Sequence, residues 1–131
     1  MIKGTGIDIV EVGRIHKLLA KGKIFTDKVF SQIESDYCEK QGVPAQSYAG
    51  KFAVKEAFLK AIGTGWRGEI ALHEIQTIND ELGKPHLEII GNSKSVIPNL
   101  DKMIKHVSIS HTDRYAVAMV VLESLGIEED K

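Results

Sequence analysis

Residues 44–62 predict a long helix, and on a helical wheel apolar residues occupy nearly all of its circumference. Such a helix is usually buried, here in the centre of the fold. At about 100° per residue, Glu56 and Lys60 lie about 40° apart on this helix, between two apolar stripes. One interpretation is an ordinary pair of opposite charges that adds roughly 0.2–0.5 kcal/mol of helix stability. The other is a functional pair, because a charge among apolar neighbours needs a partner.

Two glycines follow this helix, in the sequence Gly63-Thr64-Gly65. A helix C-terminus needs only one glycine to adopt the left-handed conformation that ends the helix. The second glycine leaves the backbone open to close approach by another group, which favours a binding role for this turn.

Short apolar or alternating runs predict strands at residues 2–10, 74–78, 86–90, 106–110 and 115–122. Helical spacing and capping residues predict further helices at residues 11–20, from the Ser31–Glu34 capping box to about residue 40, and from Asn92 to about residue 103, disturbed by Pro98. Early helices and late antiparallel strands indicate one α+β domain, with a sheet packed against the central helix. We expect this domain over residues 1–122 and an acidic tail, which frays, over residues 123–131.

Composition narrows the class of protein. The 131 residues are 43% hydrophobic and carry a net charge of −1, with no apolar run long enough to cross a membrane and no apparent signal peptide. The single cysteine, Cys38, fits a reducing cytoplasm. Residues 1–67 hold 11 Lys/Arg and 7 Asp/Glu, whereas residues 68–131 hold 6 and 11. The first half therefore suits an acidic partner, but the bias is too mild for nucleic acid.

Asp8 interrupts an otherwise apolar strand and shares a face with Val10. A strand aspartate commonly faces water near the end of a sheet. Together with Glu56, however, it could hold a hard cation such as Mg²⁺, which is bound by one or two carboxylates with waters and substrate phosphates. This interpretation requires the two carboxylates, 48 positions apart, to meet in space.

Lys60 lies beside the glycine turn, where an ammonium and free backbone N–H groups can bind phosphate. The order of residues differs from that of a P-loop, in which the lysine follows the glycines. The C-terminal end of a helix also repels anions, so a cation would have to compensate.

His111 lies where a strand meets a turn, directly after Ser110. It either binds phosphate or shuttles protons, or it simply bonds to the backbone of the turn. The remaining histidines, at positions 16, 73, 86 and 106, lack the spacing of metal ligands, which argues against a zinc site.

A basic stripe, formed by Arg14, Lys17 and Lys21, falls within about 60° on one face of the first predicted helix. Such a stripe is usually a solvated face. It also suits the docking of an acidic helix.

Five blocks of this sequence together resemble the holo-acyl-carrier-protein synthases, the short bacterial class of 4'-phosphopantetheinyl transferases. They are Gly6-Ile7-Asp8-Ile9-Val10 followed by Arg14, Lys51-Phe52-Ala53-Val54-Lys55-Glu56-Ala57 with Lys60-Ala61, Gly63-Thr64-Gly65, Gly83-Lys84-Pro85, and Ser108-Ile109-Ser110-His111 with Tyr115-Ala116-Val117-Ala118. The resemblance spans residue 4 to about residue 122. The helix block is specific, and the others are individually weak but correct in order and spacing.

The resemblance implies transfer of 4'-phosphopantetheine from coenzyme A to a serine of apo acyl carrier protein, with release of adenosine 3',5'-bisphosphate and activation of the carrier for fatty acid biosynthesis. It implies that Asp8 and Glu56 bind Mg²⁺ and that Lys60 contacts the phosphate. The chemistry also requires a base for the serine, and the sequence leaves both Glu56 and a metal-bound water open. The implied coenzyme A contacts are Lys60, Gly63, Lys84, Pro85, Ser110 and His111. The family also implies a homotrimer with active sites between subunits, and carrier docking on Arg14, Lys17 and Lys21.

Two other functions use some of the same residues. A non-catalytic domain that binds an acidic protein would explain the basic stripe but not Glu56, Lys60 and the paired glycines. A small Mg²⁺-dependent phosphate-ester hydrolase would use the carboxylates but not the stripe.

Overall fold

Helices occupy most of the first half of the chain, and antiparallel strands occupy most of the second. The structure is a computed structural model that describes residues 1–63 and 68–126. Its strands are β1 (Ile2–Glu11), β2 (Ile75–Asn79), β3 (Pro85–Ile89), β4 (Met103–His111) and β5 (Tyr115–Ser124). Its helices are α1 (Val12–Ala20), α2 (Ile24–Val29), α3 (Gln32–Glu39), α4 (Pro44–Ile62) and α5 (Gly91–Val96).

The strands form two antiparallel sheets that both contact α4. One sheet has the order β1-β5-β4, and the other is the hairpin of β2 and β3. Helix α4 packs on one face of the larger sheet and donates hydrogen bonds from Lys51 and Lys55 to backbone carbonyls of the hairpin. The expected α+β architecture, with an antiparallel sheet on a long central helix, is confirmed.

Helix α4 begins and ends where the sequence predicts. Pro44 occupies its first turn, where the missing N–H costs nothing. Gly63 follows it with φ of 100°, a backbone conformation that other residues rarely adopt. Most of its residues are buried on every side, including the stripe of Ala53, Ala57 and Ala61. The prediction of a buried central helix is confirmed.

Strand β1 lies directly on α4 because glycine removes the side chains between them. A Cβ atom on Gly6 would overlap the carbonyl oxygen of Ala57, and one on Gly4 would overlap that of Ala61. The small residues on both elements therefore let the two backbones touch. This close contact of the two backbones brings the side chains of β1 that lie next to the glycines close to the side chains of α4.

The larger sheet has one covered and one exposed face. Alternate residues of β5, which are Ala116, Ala118, Val120 and Leu122, are buried beneath α4. On the opposite face, Ile7 and Ile9 of β1 keep 60% and 64% of their surface exposed, and Met119 of β5 keeps 46%. Within the described residues, this outer face is an apolar surface without a cover.

The helix expected from Asn92 to about residue 103 is wrong. Helix α5 ends at Val96, and a separate 3-10 turn covers Leu100–Lys102. Pro98 cannot continue a helix, and Asn99 then adopts a left-handed conformation with φ of 60°. Nor does Asn92 cap this helix.

The N-terminus of α5 is held instead by Glu74, a residue distant in sequence. The backbone N–H and the hydroxyl of Ser93 donate to Oε1 of Glu74 at 2.9 Å and 2.6 Å. The cap therefore comes from tertiary structure, which a local motif could not predict.

Other boundaries moved by a few residues. The sequence does not predict helix α2, because the apolar and polar positions of its six residues show no clear helical period.

Strand β4 begins three residues before the expected start, and β5 continues two residues past Leu122, where Glu123 pairs with Ile2 and Ile104. Residues 127–131 of the expected tail lie outside the described residues, and the domain limits stay a prediction. The Ser31–Glu34 capping box is present as predicted.

Candidate active site

Asp8 and Lys60 meet at the junction of β1 and α4. The Lys60 ammonium donates to Oδ1 of Asp8 at 3.0 Å and to the carbonyl oxygen of Ile7 at 2.9 Å. The Asp8 side chain is 19% exposed and that of Lys60 is 47% exposed. The ammonium is therefore close enough to neutralise Asp8 and exposed enough to turn toward a bound anion.

Glu56 belongs to the same junction. It precedes Lys60 by one helical turn, and it adjoins Ala57, on which Gly6 of β1 packs. Its side chain is half-buried. Because Asp8 reaches Lys60, its carboxylate lies on the α4 side of the sheet, which is the side that the metal-site hypothesis requires. We call Asp8, Glu56 and Lys60 the carboxylate–lysine group.

A second group of predicted residues lines a cavity of about 190 Å³. Pro85 and Gly83 form one side of it, His111 at the end of β4 forms another, and Gly50 and Lys51 of α4 lie between them. Lys84 lies in the turn between Gly83 and Pro85. We call this space the hairpin cavity.

Ser110 is not part of the hairpin cavity. It pairs with Val117 and lies on the exposed face of β4, opposite to the face on which His111 and Ile109 lie. This alternation follows from the period of two residues in a strand. Ser110 and His111 of one chain therefore cannot line the same side of a ligand. Gly63 ends α4 beside the carboxylate–lysine group, and Thr64 and Gly65 of its turn lie outside the described residues.

The two groups lie near opposite edges of the larger sheet. Asp8 is on the edge strand β1 and His111 on the edge strand β4, opposite Ala118 and Ala116 of β5. From ordinary strand spacing, their Cα atoms are roughly 12 Å apart. Helix α4 crosses between them, since it contacts Gly6 at Ala57 and Ile109 at Gly50. One chain alone therefore does not bring the two groups together.

The basic stripe is accessible on α1. Arg14, Lys17 and Lys21 are exposed, whereas Ile15 and Val12 on the other side of the helix are buried. The three cations thus lie on a surface that a macromolecule could reach.

A buried ion pair between Lys55 and Glu34 escaped the sequence-based prediction. The Lys55 ammonium donates to Oε1 of Glu34 at 2.7 Å, to the carbonyl of Leu72 at 3.0 Å and to the carbonyl of Ile75. Burial lowers the pKa of Lys55 to about 8, although the Glu34 carboxylate acts in the opposite direction. Lys55 is therefore a buried charge of α4 that requires a partner. The signal for this in the sequence was the position of Lys55 among apolar residues of the helix.

Lys51, one turn before Lys55, is also buried. Its ammonium donates to the carbonyl of Thr77 at 3.0 Å and to Oδ1 of Asn79 at 2.6 Å. It also lies 4.7 Å from the ring centroid of Tyr37, a distance at which a cation is attracted to an aromatic face. Burial lowers the pKa of this ammonium. Lys51 and Lys55 together attach α4 to the hairpin.

Cys38 has no catalytic setting. Its side chain is buried in the core, and burial raises the pKa of the thiol to about 12. A protonated, inaccessible thiol is a poor nucleophile, so Cys38 serves as a core residue.

Two kinds of feature are missing from the part of the chain that the structure describes. None of its helices is long and apolar enough to cross a membrane. It contains no cluster of three or more His, Cys, Asp or Glu side chains that could enclose a metal ion. A metal bound at the carboxylate–lysine group would therefore need further ligands from water or substrate.

Comparison with known proteins identifies relatives along nearly the whole chain. Residues 4–120 match the 4'-phosphopantetheinyl transferase superfamily. The chain is 43% identical over 126 residues to the holo-[acyl-carrier-protein] synthase of Syntrophus aciditrophicus, covering 95% of this chain and 98% of that protein.

Solved structures show the same fold. The crystal structure of the holo-[acyl-carrier-protein] synthase from Neisseria meningitidis has a TM-score of 0.83 at 34% identity, covering 95% and 100% of the two chains. That of the Bacillus anthracis enzyme, in complex with CoA (3',5'-ADP), has a TM-score of 0.78 at 39% identity, covering 95% and 98%. The chain therefore belongs to the 4'-phosphopantetheinyl transferase superfamily, as a member of its holo-[acyl-carrier-protein] synthase family.

Proposed function

We propose that this protein transfers the 4'-phosphopantetheine group of coenzyme A to a serine of apo acyl carrier protein, in a Mg²⁺-dependent reaction that releases adenosine 3',5'-bisphosphate. The observation that carries the proposal is the contact between Asp8 and Lys60, one helical turn from Glu56. It supports the proposal because a diphosphate requires two kinds of group, carboxylates for a cation and an ammonium for phosphate, and Asp8, Glu56 and Lys60 would supply both.

The residues of this junction fit Mg²⁺. Asp8 and Glu56 supply hard oxygen donors, and both side chains are partly exposed, so water and substrate can complete the coordination. Among the described residues no third acidic, histidine or cysteine side chain joins them in a cluster, and a site of one or two carboxylates is typical of a Mg²⁺ that is shared with substrate phosphates. When bound, the cation would neutralise the negative charge of the coenzyme A diphosphate.

Lys60 would act on the phosphate that leaves. In the proposed reaction, the serine oxygen of the carrier forms a bond to the phosphorus nearer the pantetheine while its proton passes to Glu56 or to water, and the bond from that phosphorus to the bridging oxygen breaks. Negative charge then grows on the adenosine 3',5'-bisphosphate. An ammonium that is held at the junction by Asp8 and Ile7 and still half-exposed can turn to stabilise that charge.

The hairpin cavity is the proposed place for the nucleotide end of coenzyme A. Pro85 offers an apolar surface against which an adenine ring can pack, and His111 offers a hydrogen-bonding group for phosphate. Lys84 does not line the cavity but lies in the chain between Gly83 and Pro85, which do, and its ammonium could reach a phosphate at the rim. Gly63 would let the diphosphate approach the end of α4.

We further propose that the site is completed between subunits of a homotrimer. The carboxylate–lysine group and the hairpin cavity lie on opposite sides of α4, near the two edges of the sheet. A neighbouring copy that brought its β4 edge beside this β1 edge would place the two groups together. The exposed apolar face around Ile7, Ile9 and Met119 offers a surface for such an association.

The carrier protein would dock on the basic stripe. Arg14 and Lys17 are exposed on α1 and Lys21 is exposed directly after it, and α1 directly follows β1, the strand of Asp8. An acidic carrier bound there would present its serine near the carboxylate–lysine group, and complementary charge would accelerate association. A cytoplasmic role in fatty acid biosynthesis is consistent with this partner and with the single, buried Cys38.

One assay tests the function. The purified protein is incubated with coenzyme A, Mg²⁺ and apo acyl carrier protein, and the mass of the carrier is measured, with a parallel reaction in EDTA. A carrier that gains one phosphopantetheine only with Mg²⁺ supports the transferase. An unmodified carrier that still binds indicates a binding domain, and cleavage of coenzyme A without a modified carrier indicates a hydrolase. Either result would refute the proposal.

A further inference from the structure

The side chain of Asn79 ties the turn that carries Lys84 to α4. The buried Lys51 ammonium donates to Oδ1 of Asn79 at 2.6 Å, and Nδ2 of Asn79 donates to the carbonyl of Gly83 at 3.1 Å. The two hydrogen bonds form a bridge from the helix, through the last residue of β2, to the turn. We call this Lys51–Asn79–Gly83 bridge the hairpin brace.

The turn itself is an ordered unit. Oδ1 of Asp80 accepts hydrogen bonds from the backbone N–H groups of Leu82 and Lys84, both at 2.9 Å. Oδ2 of the same carboxylate contacts the His86 ring at 3.0 Å. These local bonds hold the shape of the turn. They do not connect it to α4, which the brace does.

The brace also spans two walls of the hairpin cavity. Lys51 belongs to the α4 side of the cavity, whereas Gly83 and Pro85 belong to the hairpin side. Asn79 lies between them and is paired with Pro85 in the β2–β3 ladder. Lys51 and Lys55 also hold β2 to the helix through the carbonyls of Thr77 and Ile75, whereas the brace extends this attachment to the turn end of the hairpin wall.

From this geometry we propose that Asn79 is a positioning residue, which sets the distance between Lys84-Pro85 and α4 and thereby the affinity for the nucleotide end of coenzyme A. The proposal rests on the proposed function of the cavity. The chemistry of the brace requires an amide, because Oδ1 must accept from Lys51 and Nδ2 must donate to Gly83. A carboxylate would satisfy Lys51 but would repel the Gly83 carbonyl.

The test uses the full-length protein and four variants: Asn79→Leu, Asn79→Asp, Lys51→Met and the double variant Lys51→Met/Asn79→Leu. Gln76→Leu is the matched control, since Gln76 is a buried residue of the same hairpin whose side chain donates across the hairpin to Glu88 and not to α4 or the turn within the described residues. For each protein, we would measure coenzyme A affinity by calorimetry, kcat and KM of carrier modification, and hydrogen–deuterium exchange of the turn amides without ligand. Thermal unfolding identifies any variant that fails to fold.

We expect Asn79→Leu to raise the KM for coenzyme A about tenfold, as for the loss of a hydrogen bond to a charged group, with kcat within about twofold. Turn amides should exchange faster without ligand, and Asn79→Asp should show the same effects. If the two hydrogen bonds of the brace act as one unit, the KM for coenzyme A of the double variant should differ little from that of either single variant. Gln76→Leu should leave the coenzyme A affinity unchanged.

Three outcomes would overturn the proposal. The first is an unchanged KM for coenzyme A in Asn79→Leu, and the second is an equal loss of coenzyme A affinity in Gln76→Leu. The third is a fold-increase in KM in the double variant that equals the product of the increases in Lys51→Met and Asn79→Leu. Multiplying effects would mean that each side chain contacts the ligand independently. Failure of the proposed function is distinguishable, because the wild-type protein would then leave the carrier unmodified. Calorimetry with coenzyme A would still report whether the brace sets its affinity.

Discussion

Lys60 donates a hydrogen bond to Asp8 across 52 positions of the chain, and this 3.0 Å contact joins the end of α4 to the edge strand β1. It exists because Gly6 and Gly4 let β1 rest on Ala57 and Ala61. The contact brings two residues that are distant in sequence together at the candidate site, with Glu56 one helical turn before Lys60.

Removing either carboxylate should strongly reduce Mg²⁺-dependent transfer without unfolding the protein. We expect Asp8→Ala and Glu56→Gln each to lower the Mg²⁺-dependent rate by roughly 10²–10³, because the charge of the diphosphate is then poorly neutralised. Rates would be measured by mass spectrometry of the carrier, and folding by circular dichroism. Asp36→Ala, which removes an exposed carboxylate of α3, serves as the control. Full activity in Asp8→Ala or Glu56→Gln would remove the metal-site assignment.

Lys60 should affect the rate of the transfer step more than the affinity for Mg²⁺. Lys60→Met should lower kcat by about 10², and Lys60→Arg should recover part of it, because either cation can stabilise the leaving phosphate. The Mg²⁺ concentration for half-maximal activity should not increase, since the variant loses an ammonium that competes for Asp8. A large increase in that concentration would instead assign Lys60 to organising the metal site.

The buried pair should contribute to stability only as a pair. Lys55→Met leaves the Glu34 carboxylate buried without its cation, and we expect a loss of about 3–5 kcal/mol in the free energy of unfolding. The double variant Lys55→Met/Glu34→Leu should lose less than the sum of the single variants, because no uncompensated charge remains. Urea unfolding measures each value, with Lys94→Met as an exposed control. Additive losses would contradict this account.

Charge reversal on α1 should weaken the carrier interaction alone. Arg14→Glu should raise the KM for the carrier about tenfold or more at low salt, with a smaller effect at high salt and no change in the KM for coenzyme A. Lys94→Glu makes the same change of charge on α5, far along the chain from α1. If both variants affected the carrier equally, net charge rather than the stripe would be responsible.

Self-association should depend on the outer face of the sheet. Ile9→Glu places a charge on the exposed apolar surface, and we expect it to shift a trimer toward monomers in sedimentation experiments. Activity should fall with it if neighbouring subunits complete the site. Ile33→Glu changes an exposed apolar residue of α3 and should leave the assembly intact. A monomeric wild-type protein with full activity would refute the shared site.

Features that depend on near neighbours were predictable from the sequence. The start and end of α4 follow from Pro44 and Gly63, and the hairpin follows from the turn at residues 79–83. The Ser31–Glu34 box is likewise complete within four residues. The helix motif and its companions also indicated the family, and with it the residues of the candidate site. In each of these cases the deciding contacts lie within a few positions, so the chain carries the signal locally.

Tertiary structure decided which distant residues meet. The buried Lys55 pairs with Glu34, 21 positions away, Glu74 rather than Asn92 holds the start of α5, and Ser110 faces away from His111. Each outcome depends on how β1, α4 and the hairpin pack against one another. The sequence by itself therefore determined the elements and the chemical groups that they carry. Packing determined their partners, because burial and hydrogen bonding across elements exist only once the chain has folded.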